Sequence, residues 1–366
     1  MNARPLALHW RRLAGKGFAA LAAIIAITCV QWSPGEARAA GLFSRPAADI
    51  QSLDGAVSWV NSPPLTPQSL RGKVVLLDFW TYSCINCLRT LPYIRAWAEK
   101  YRDLGFVVVG VHTPEFGFEH QPANVQRAAA KLGITFPVAV DSRRAIWRAY
   151  GVQGWPSLYL ADAKGMIRNR QLGEGGYAQS ERVIQQLLRE AGRTGVPTDL
   201  VSPQGEGTQA AAGPMPAQSP ETYVGAAQAE RFRSPEGPLR LGPSHAYQPA
   251  TSLALNEWTL AGDWKVGEEA AELQRTGGRI AYRFRARDLH LVLGPAMEGK
   301  PVRFRVRLDG QAPGADHGSD VDANGIGMID SHRLYQLVRQ SSPGRERLFE
   351  IEFLDPGVSA YAFTFG

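Results

Sequence analysis

Apolar positions recur in two rhythms along this 366-residue chain, and the rhythm changes near residue 221. Residues 74–77 are an unbroken aliphatic run that continues into Asp78, Phe79 and Trp80, the pattern of a strand buried on both faces. A helix is expected from Cys84, a strand at 106–111, a helix at about 123–132, a short strand at 136–140 and a short helix at 145–150. A loop holding Trp155 and Pro156 follows. Strands at 157–161 and 166–172 then turn at Asp162-Ala163-Lys164-Gly165, before a closing helix at 181–191. Strands alternating with helices and a late hairpin imply an α/β sandwich.

Beyond residue 221 the period is two. Val302-Arg303-Phe304-Arg305-Val306-Arg307-Leu308 alternates apolar with basic residues and ends at Asp309-Gly310, a hairpin signal. Segments 279–285, 289–293, 347–353 and 360–365 also read as strands, so this part is expected to be an all-β sandwich. The arginines at 303, 305 and 307 fit a solvated strand face that discourages edge pairing. Residues 193–220 are rich in Pro, Gly, Ala and Gln, with few large apolar side chains, and read as a flexible linker. The expected organisation is thus 41–192, linker 193–220 and 221–366, preceded by residues 1–40.

Those first 40 residues read as an export signal. Arg4, Arg11, Arg12 and Lys16 precede an uncharged stretch at 18–30, and Ala37-Arg38-Ala39 supplies a small-x-small cleavage site. The apolar stretch is shorter than the ~20 residues of a spanning helix, so cleavage is expected. An uncleaved N-terminal anchor is the alternative, because no charge falls between Gly17 and Gly35. Residues 1–39 carry five basic residues and one acidic one, a balance of +4, so about +2 of the formal +6 is left to the rest. The basic balance is therefore largely a targeting feature and makes no case for nucleic-acid binding. Cleavage would also remove Cys29, leaving Cys84 and Cys87 as the remaining cysteines.

These two carry the chemistry. A strand that ends in a polar loop delivers Cys84 to the first turn of a helix, where free N–H groups and the positive end of the helix dipole favour a thiolate. Cys87 follows at i+3 on the same helix face, close enough to form a disulfide with Cys84. Such a pair accepts or donates two electrons. A structural zinc site needs four ligands, and the histidines show no paired spacing near Cys84. A c-type haem site needs His after the second Cys, where Leu88 stands. A structural disulfide across so short a loop would add little stability.

The run Phe79-Trp80-Thr81-Tyr82-Ser83-Cys84-Ile85-Asn86-Cys87, with Gly110-Val111-His112-Thr113-Pro114-Glu115, resembles thioredoxin-fold proteins of the exported TlpA/DsbE-like group. The likeness is greatest to the thioredoxin-like part of DipZ-type proteins, and it runs from about Asp78 to the last residue. Ile85-Asn86 replaces the usual Gly-Pro, a departure that bears on the redox potential.

The resemblance implies a thioredoxin-like α/β domain followed by a jelly-roll β-sandwich like a carbohydrate-binding module. It also implies a thiol–disulfide oxidoreductase with Cys84 attacking and Cys87 resolving, and no diffusible cofactor. Pro92 falls where these helices carry a kinking proline. Asp78 matches a buried carboxylate whose raised pKa would let it take the Cys87 proton; a strand-end Asp bonded to backbone is the alternative. Trp155-Pro156 matches the cis-proline loop that docks a partner, with an ordinary turn as the alternative. Trp80 and Glu115 are possible modulators, Glu115 because it follows a neighbouring strand at the same sheet edge; a capping or solvated glutamate is the bland reading. Trp258, Trp264 and Tyr247 would either stack on sugars or fill the core.

The partners so implied are protein disulfides, a membrane thiol donor of DsbD/CcdA type and, through the sandwich, cell-wall glycan, all in the periplasm; reduction is the expected direction. Two rivals remain. Thr81-x-x-Cys84 partly matches a thiol-peroxidase motif, although Leu77 stands where that motif has proline. In the other rival the sandwich sets function as a glycan-targeting module and the redox domain is secondary.

Overall fold

The computed structural model describes residue 50, 53–213, 217–342 and 344–366. The expected export signal lies outside the described residues. Among those described, no helix is long and apolar enough to cross a membrane, and the described residues form one compact unit.

The first part runs β1 (Ser58–Val60), α1 (Pro67–Leu70), β2 (Val74–Trp80), α2 (Ile85–Lys100), β3 (Phe106–His112), α3 (Pro122–Lys131), β4 (Val138–Val140), α4 (Ala145–Tyr150), β5 (Ser157–Ala161), β6 (Ile167–Leu172) and α5 (Tyr177–Glu190). Its six-stranded sheet has the order β1-β4-β3-β2-β5-β6. β2 is central, parallel to β3 and antiparallel to β5, and every residue of it is buried. The unbroken apolar run follows from that position, with a core on each face. On one side Leu91, Ile94 and Trp97 of α2 pack against Val74, Leu76 and Ile184. The expected turn at 162–165 forms, Asp162 Oδ1 accepting the N–H groups of Lys164 and Met166 while Gly165 takes a φ of +90°.

The second part holds β7 (Thr222–Tyr223), β8 (His245–Tyr247), β9 (Trp258–Val266), β10 (Ala271–Leu273), β11 (Arg279–Arg285), β12 (Asp288–Pro295), β13 (Val302–Leu308), β14 (Ile326–Ile329), β15 (Arg333–Arg339), β16 (Glu346–Phe353) and β17 (Val358–Phe365). They join in one antiparallel sheet, β14-β13-β16-β11-β9-β10-β17-β12-β15, with β7 on β17 and β8 on β9. The sheet curls round one core because β9 bends at Gly262, whose φ is +98°. Before the bend β9 pairs with β11, and beyond it with β10. The architecture is thus a large, bent antiparallel sheet.

Trp258 and Trp264 are fully buried, and Tyr247 nearly so, in that core. These rings are core, and none is free to stack on a sugar. Arg305 and Arg307 stand opposite Glu352 and Glu350 across the β13–β16 ladder, and Arg303 pairs with Asp355 at 2.9 Å, the charged outer face that the alternation implied.

Residues 193–213 differ from the expected flexible linker. Val196 and Val201 pack against the first domain's core. The Val201 N–H donates to Glu181 Oε2 at 2.9 Å, and Arg95 Nη2 to Gln209 Oε1 at 2.7 Å. On the other side, Arg287 Nη2 donates to the carbonyl of Ala211 at 2.7 Å. Small residues cannot build a core, but here long side chains of both domains satisfy the strap's backbone.

The β domain lies directly against the cysteine helix. Ile85 and Leu88 are 5% and 4% exposed, packed with Phe116 against Val292, Leu334, Tyr361 and Ala362. This contact explains one sequence departure. Ile85, in place of the usual glycine between the cysteines, is an apolar anchor for the second domain.

Candidate active site

β2 ends at Trp80, residues 81–83 cross the sheet edge, and Cys84 becomes the N-cap of α2. Both sulfurs are free thiols, Cys84 half-buried and Cys87 buried. The Cys87 N–H donates to Cys84 Sγ at 3.2 Å, so the outer sulfur takes one of the unpaired donors of the first turn. Burial pushes the Cys87 thiol well up, and the adjoining Cys84 and the charge of Asp78 add to this. A hydrogen bond from the Thr81 backbone works the other way. The arrangement offers one accessible sulfur and one held protonated behind it.

Asp78 is buried beneath this loop, and its Oδ1 has no hydrogen-bond partner among the described residues. Burial pushes its carboxyl up to about 7, a value at which a carboxylate can receive a proton near neutrality.

The Trp155–Pro156 peptide is cis. Ser157 stands opposite Phe79 in the β2–β5 ladder, which places Pro156 beside Trp80 at the start of the cysteine loop. Trp155 is half-buried, its ring 4.5 Å from that of Trp147 and 5.1 Å from the Arg144 guanidinium. Trp80 is buried, with its ring edge-on to His112 at 5.2 Å.

Glu115 lies elsewhere than expected. Its Oε1 accepts the Tyr223 hydroxyl at 2.6 Å, so it faces the β domain. Burial, then the charge of Glu221, pushes its carboxyl up to about 8.

A different glutamate meets the cysteine loop. Glu119, fully buried, accepts the Thr81 hydroxyl at 2.5 Å and the Ser83 hydroxyl at 2.7 Å through Oε1. Its Oε2 accepts the N–H groups of Glu115 at 2.7 Å and Phe116 at 3.1 Å. Burial pushes this carboxyl up, against the pull of those four donors. His112 Nε2 lies 3.3 Å from the Thr81 hydroxyl oxygen. Burial pushes the imidazole down to about 3, so it is neutral; with Thr81 donating to Glu119, the network assigns the proton to Nε2. The sequence offered no local signal for Glu119. It falls in a short 3-10 turn, 35 positions past Cys84, and only the fold brings it under residues 81–83.

Comparison with known proteins agrees with this geometry. Residues 60–187 match the Redoxin family, and residues 219–366 match a family described as "Thioredoxin like C-terminal domain". The chain is 39% identical over 263 residues to Protein DipZ of Mycobacterium tuberculosis, covering 69% of this chain and 37% of that protein. It therefore spans little more than a third of the length of that relative. It is 31% identical over 141 residues to the thiol-disulfide oxidoreductase YkuV of Bacillus subtilis, covering 38% of this chain and 95% of YkuV. A solved thiol-disulfide isomerase from Corynebacterium glutamicum aligns at 27% identity and a TM-score of 0.36, over 39% of this chain and 96% of that one. With its dithiol at the head of α2 and a relative matched over nearly its whole length, the chain belongs to the thioredoxin-like family of thiol–disulfide oxidoreductases.

Proposed function

We propose that this chain is an exported reductase of protein disulfides. The observation that carries the reading is the half-buried Cys84 Sγ, at the helix start and bonded to the Cys87 N–H, in front of a buried Cys87. In the cycle, the Cys84 thiolate attacks one sulfur of a substrate disulfide, and the other leaves as a thiolate that takes up a proton. Cys87, losing its proton to Asp78, then attacks Cys84 Sγ. The second substrate thiolate leaves, and the Cys84–Cys87 disulfide holds the exchanged bond. Two electrons have passed to the substrate, and an external dithiol must return two to the pair. No diffusible cofactor enters these steps.

Export is supported by the charged, apolar and small-residue pattern of residues 1–40. The DipZ likeness supports a membrane thiol donor of DsbD/CcdA type as the source of electrons. In the same reading Trp155 and Pro156 receive the substrate strand, and the bent β domain is a jelly-roll module. The thiol-peroxidase alternative has less support, because the Thr81 hydroxyl is committed to Glu119.

Insulin-disulfide reduction by the reduced protein tests the reading. It should vanish in Cys84→Ser, whereas Cys87→Ala should trap mixed disulfides with exported proteins. Peroxide turnover without disulfide reduction would overturn it.

A further inference from the structure

The loop of residues 115–119 touches both halves of the molecule. Toward the dithiol, Glu119 holds the hydroxyls of Thr81 and Ser83. Toward the β domain, Tyr223 Oη donates to Glu115, the Gly117 N–H donates to Glu269 Oε2 at 2.8 Å, and the Phe116 ring lies 5.2 Å from that of Tyr361. The adjacent Phe118 ring sits 6.0 Å from Tyr82 on one side and 4.9 Å from Tyr361 on the other. We propose that Glu119 is a positioning residue through which the β domain holds the cysteine loop in the shape needed for disulfide exchange.

A fully buried charge is costly unless its oxygens are satisfied. Glu119 meets four donors, two of them backbone N–H groups that cannot reverse their role. Its four contacts join two loops that are otherwise separate in sequence. Those loops matter because the Thr81 backbone supports the Cys87 sulfur, and Ser83 leads into Cys84. With residues 81 and 83 fixed, the backbone that leads into the helix is fixed and Cys84 stays at the helix start. If the loop were released, Cys87 would lose a donor that favours its thiolate, the form that attacks the mixed disulfide. A loop held only from the dithiol side would still move. The Tyr223, Glu269 and Tyr361 contacts fix its outer side, which gives the second domain a part in thiol chemistry.

The test is the rate at which a preformed Cys84 mixed disulfide is resolved, followed across pH in the full chain. Glu119→Ala should slow resolution about tenfold, the scale of one hydrogen bond to a charged group, with the pH profile moved to higher pH. Glu119→Gln should recover most of the rate, since its oxygen can accept the two N–H groups and its nitrogen can donate to the two hydroxyl oxygens. Should Glu119→Ala fail to fold, Thr81→Val breaks the same link at nearly constant volume and should slow resolution in the same direction. Tyr223→Phe should slow resolution less, and should add nothing once Glu119 is alanine. Wild-type rates in Glu119→Ala or Thr81→Val would overturn the proposal. So would a glutamine variant as slow as alanine, or a Tyr223→Phe cost that adds in full. These readouts do not depend on the physiological direction of exchange. Failure of the reductase reading would instead appear as a wild-type protein that reduces no disulfide.

Discussion

Arg89, two residues beyond Cys87, reaches Asp288 of β12 at 3.6 Å, with both side chains almost sealed from solvent at 4% and 1% exposure. Arg287 at 2.7 Å and Arg339 at 3.8 Å share the same carboxylate. Asp288 is thus the common anion for three guanidinium groups at the junction of the cysteine helix with the β domain.

Removing one partner of a buried ion pair leaves a charge without compensation and costs about 3–5 kcal/mol. Asp288→Asn should therefore destabilise the full chain by about that amount in a denaturant titration. Arg89→Met should cost less, because Arg287 and Arg339 still neutralise Asp288. If both variants unfold at the wild-type midpoint, the cluster contributes nothing to holding the domains together.

The two thiols should differ in reactivity. Cys84 is half-buried, whereas Cys87 is buried and its thiol is pushed well up. In the reduced native protein at neutral pH, iodoacetamide should label Cys84 at least tenfold faster, the factor that one pKa unit gives in thiolate population. Mapping the alkylated peptide decides this, and faster labelling of Cys87 would reverse the roles of nucleophile and resolving thiol.

Asp78 should make stability fall as the pH rises. Its folded carboxyl titrates at about 7 against an ordinary 3.8, so the folded state binds the extra proton. Its contribution is fully present below about pH 4 and is lost progressively up to about pH 7, on the order of 4 kcal/mol in all. Asp78→Asn should flatten that fall and raise stability at pH 8, while slowing resolution near neutral pH by removing the proton acceptor. Parallel stability curves for the two proteins between pH 4 and 8 would show that Asp78 is already ionised in the fold.

Glu115 should act on the domain junction rather than on the redox potential. Burial and the charge of Glu221 push its carboxyl up to about 8, against the pull of the Tyr223 hydroxyl, so its contribution to stability falls between about pH 4.5 and 8. Glu115→Gln, which can still accept the Tyr223 hydroxyl, should weaken that pH dependence and leave the glutathione redox equilibrium unchanged. A shifted equilibrium would mean that its charge reaches the sulfurs after all.

Local signals are enough to read the dithiol and the central strand, because each is a contiguous pattern, whereas the cis-proline loop rests on the family resemblance. Strands facing core on one side and water on the other, such as β11 and β13, were equally plain from their alternation. β15 was missed for a physical reason. Its Leu334 packs toward the cysteine helix while Tyr335 and Leu337 enter the β core, so burial on both faces erased the period of two. β9 is hard to read because Gly262-Asp263 has the composition of a turn, yet the strand continues through Gly262 at a φ of +98°. Glu119 and the covering of Ile85 depend on contacts between distant segments, which no local pattern encodes.

The strap at 193–213 ties the dithiol domain to the β domain. The Val201 N–H is bonded to Glu181, the Gln209 side chain to Arg95 and the Ala211 carbonyl to Arg287, so the strap is tied to both domains. These contacts hold the dithiol against the β domain, so the two would move together. In the proposed cycle an electron donor and a disulfide substrate would meet the same Cys84 sulfur in turn, so each would exclude the other while bound. Raising the concentration of either should then slow delivery to the other.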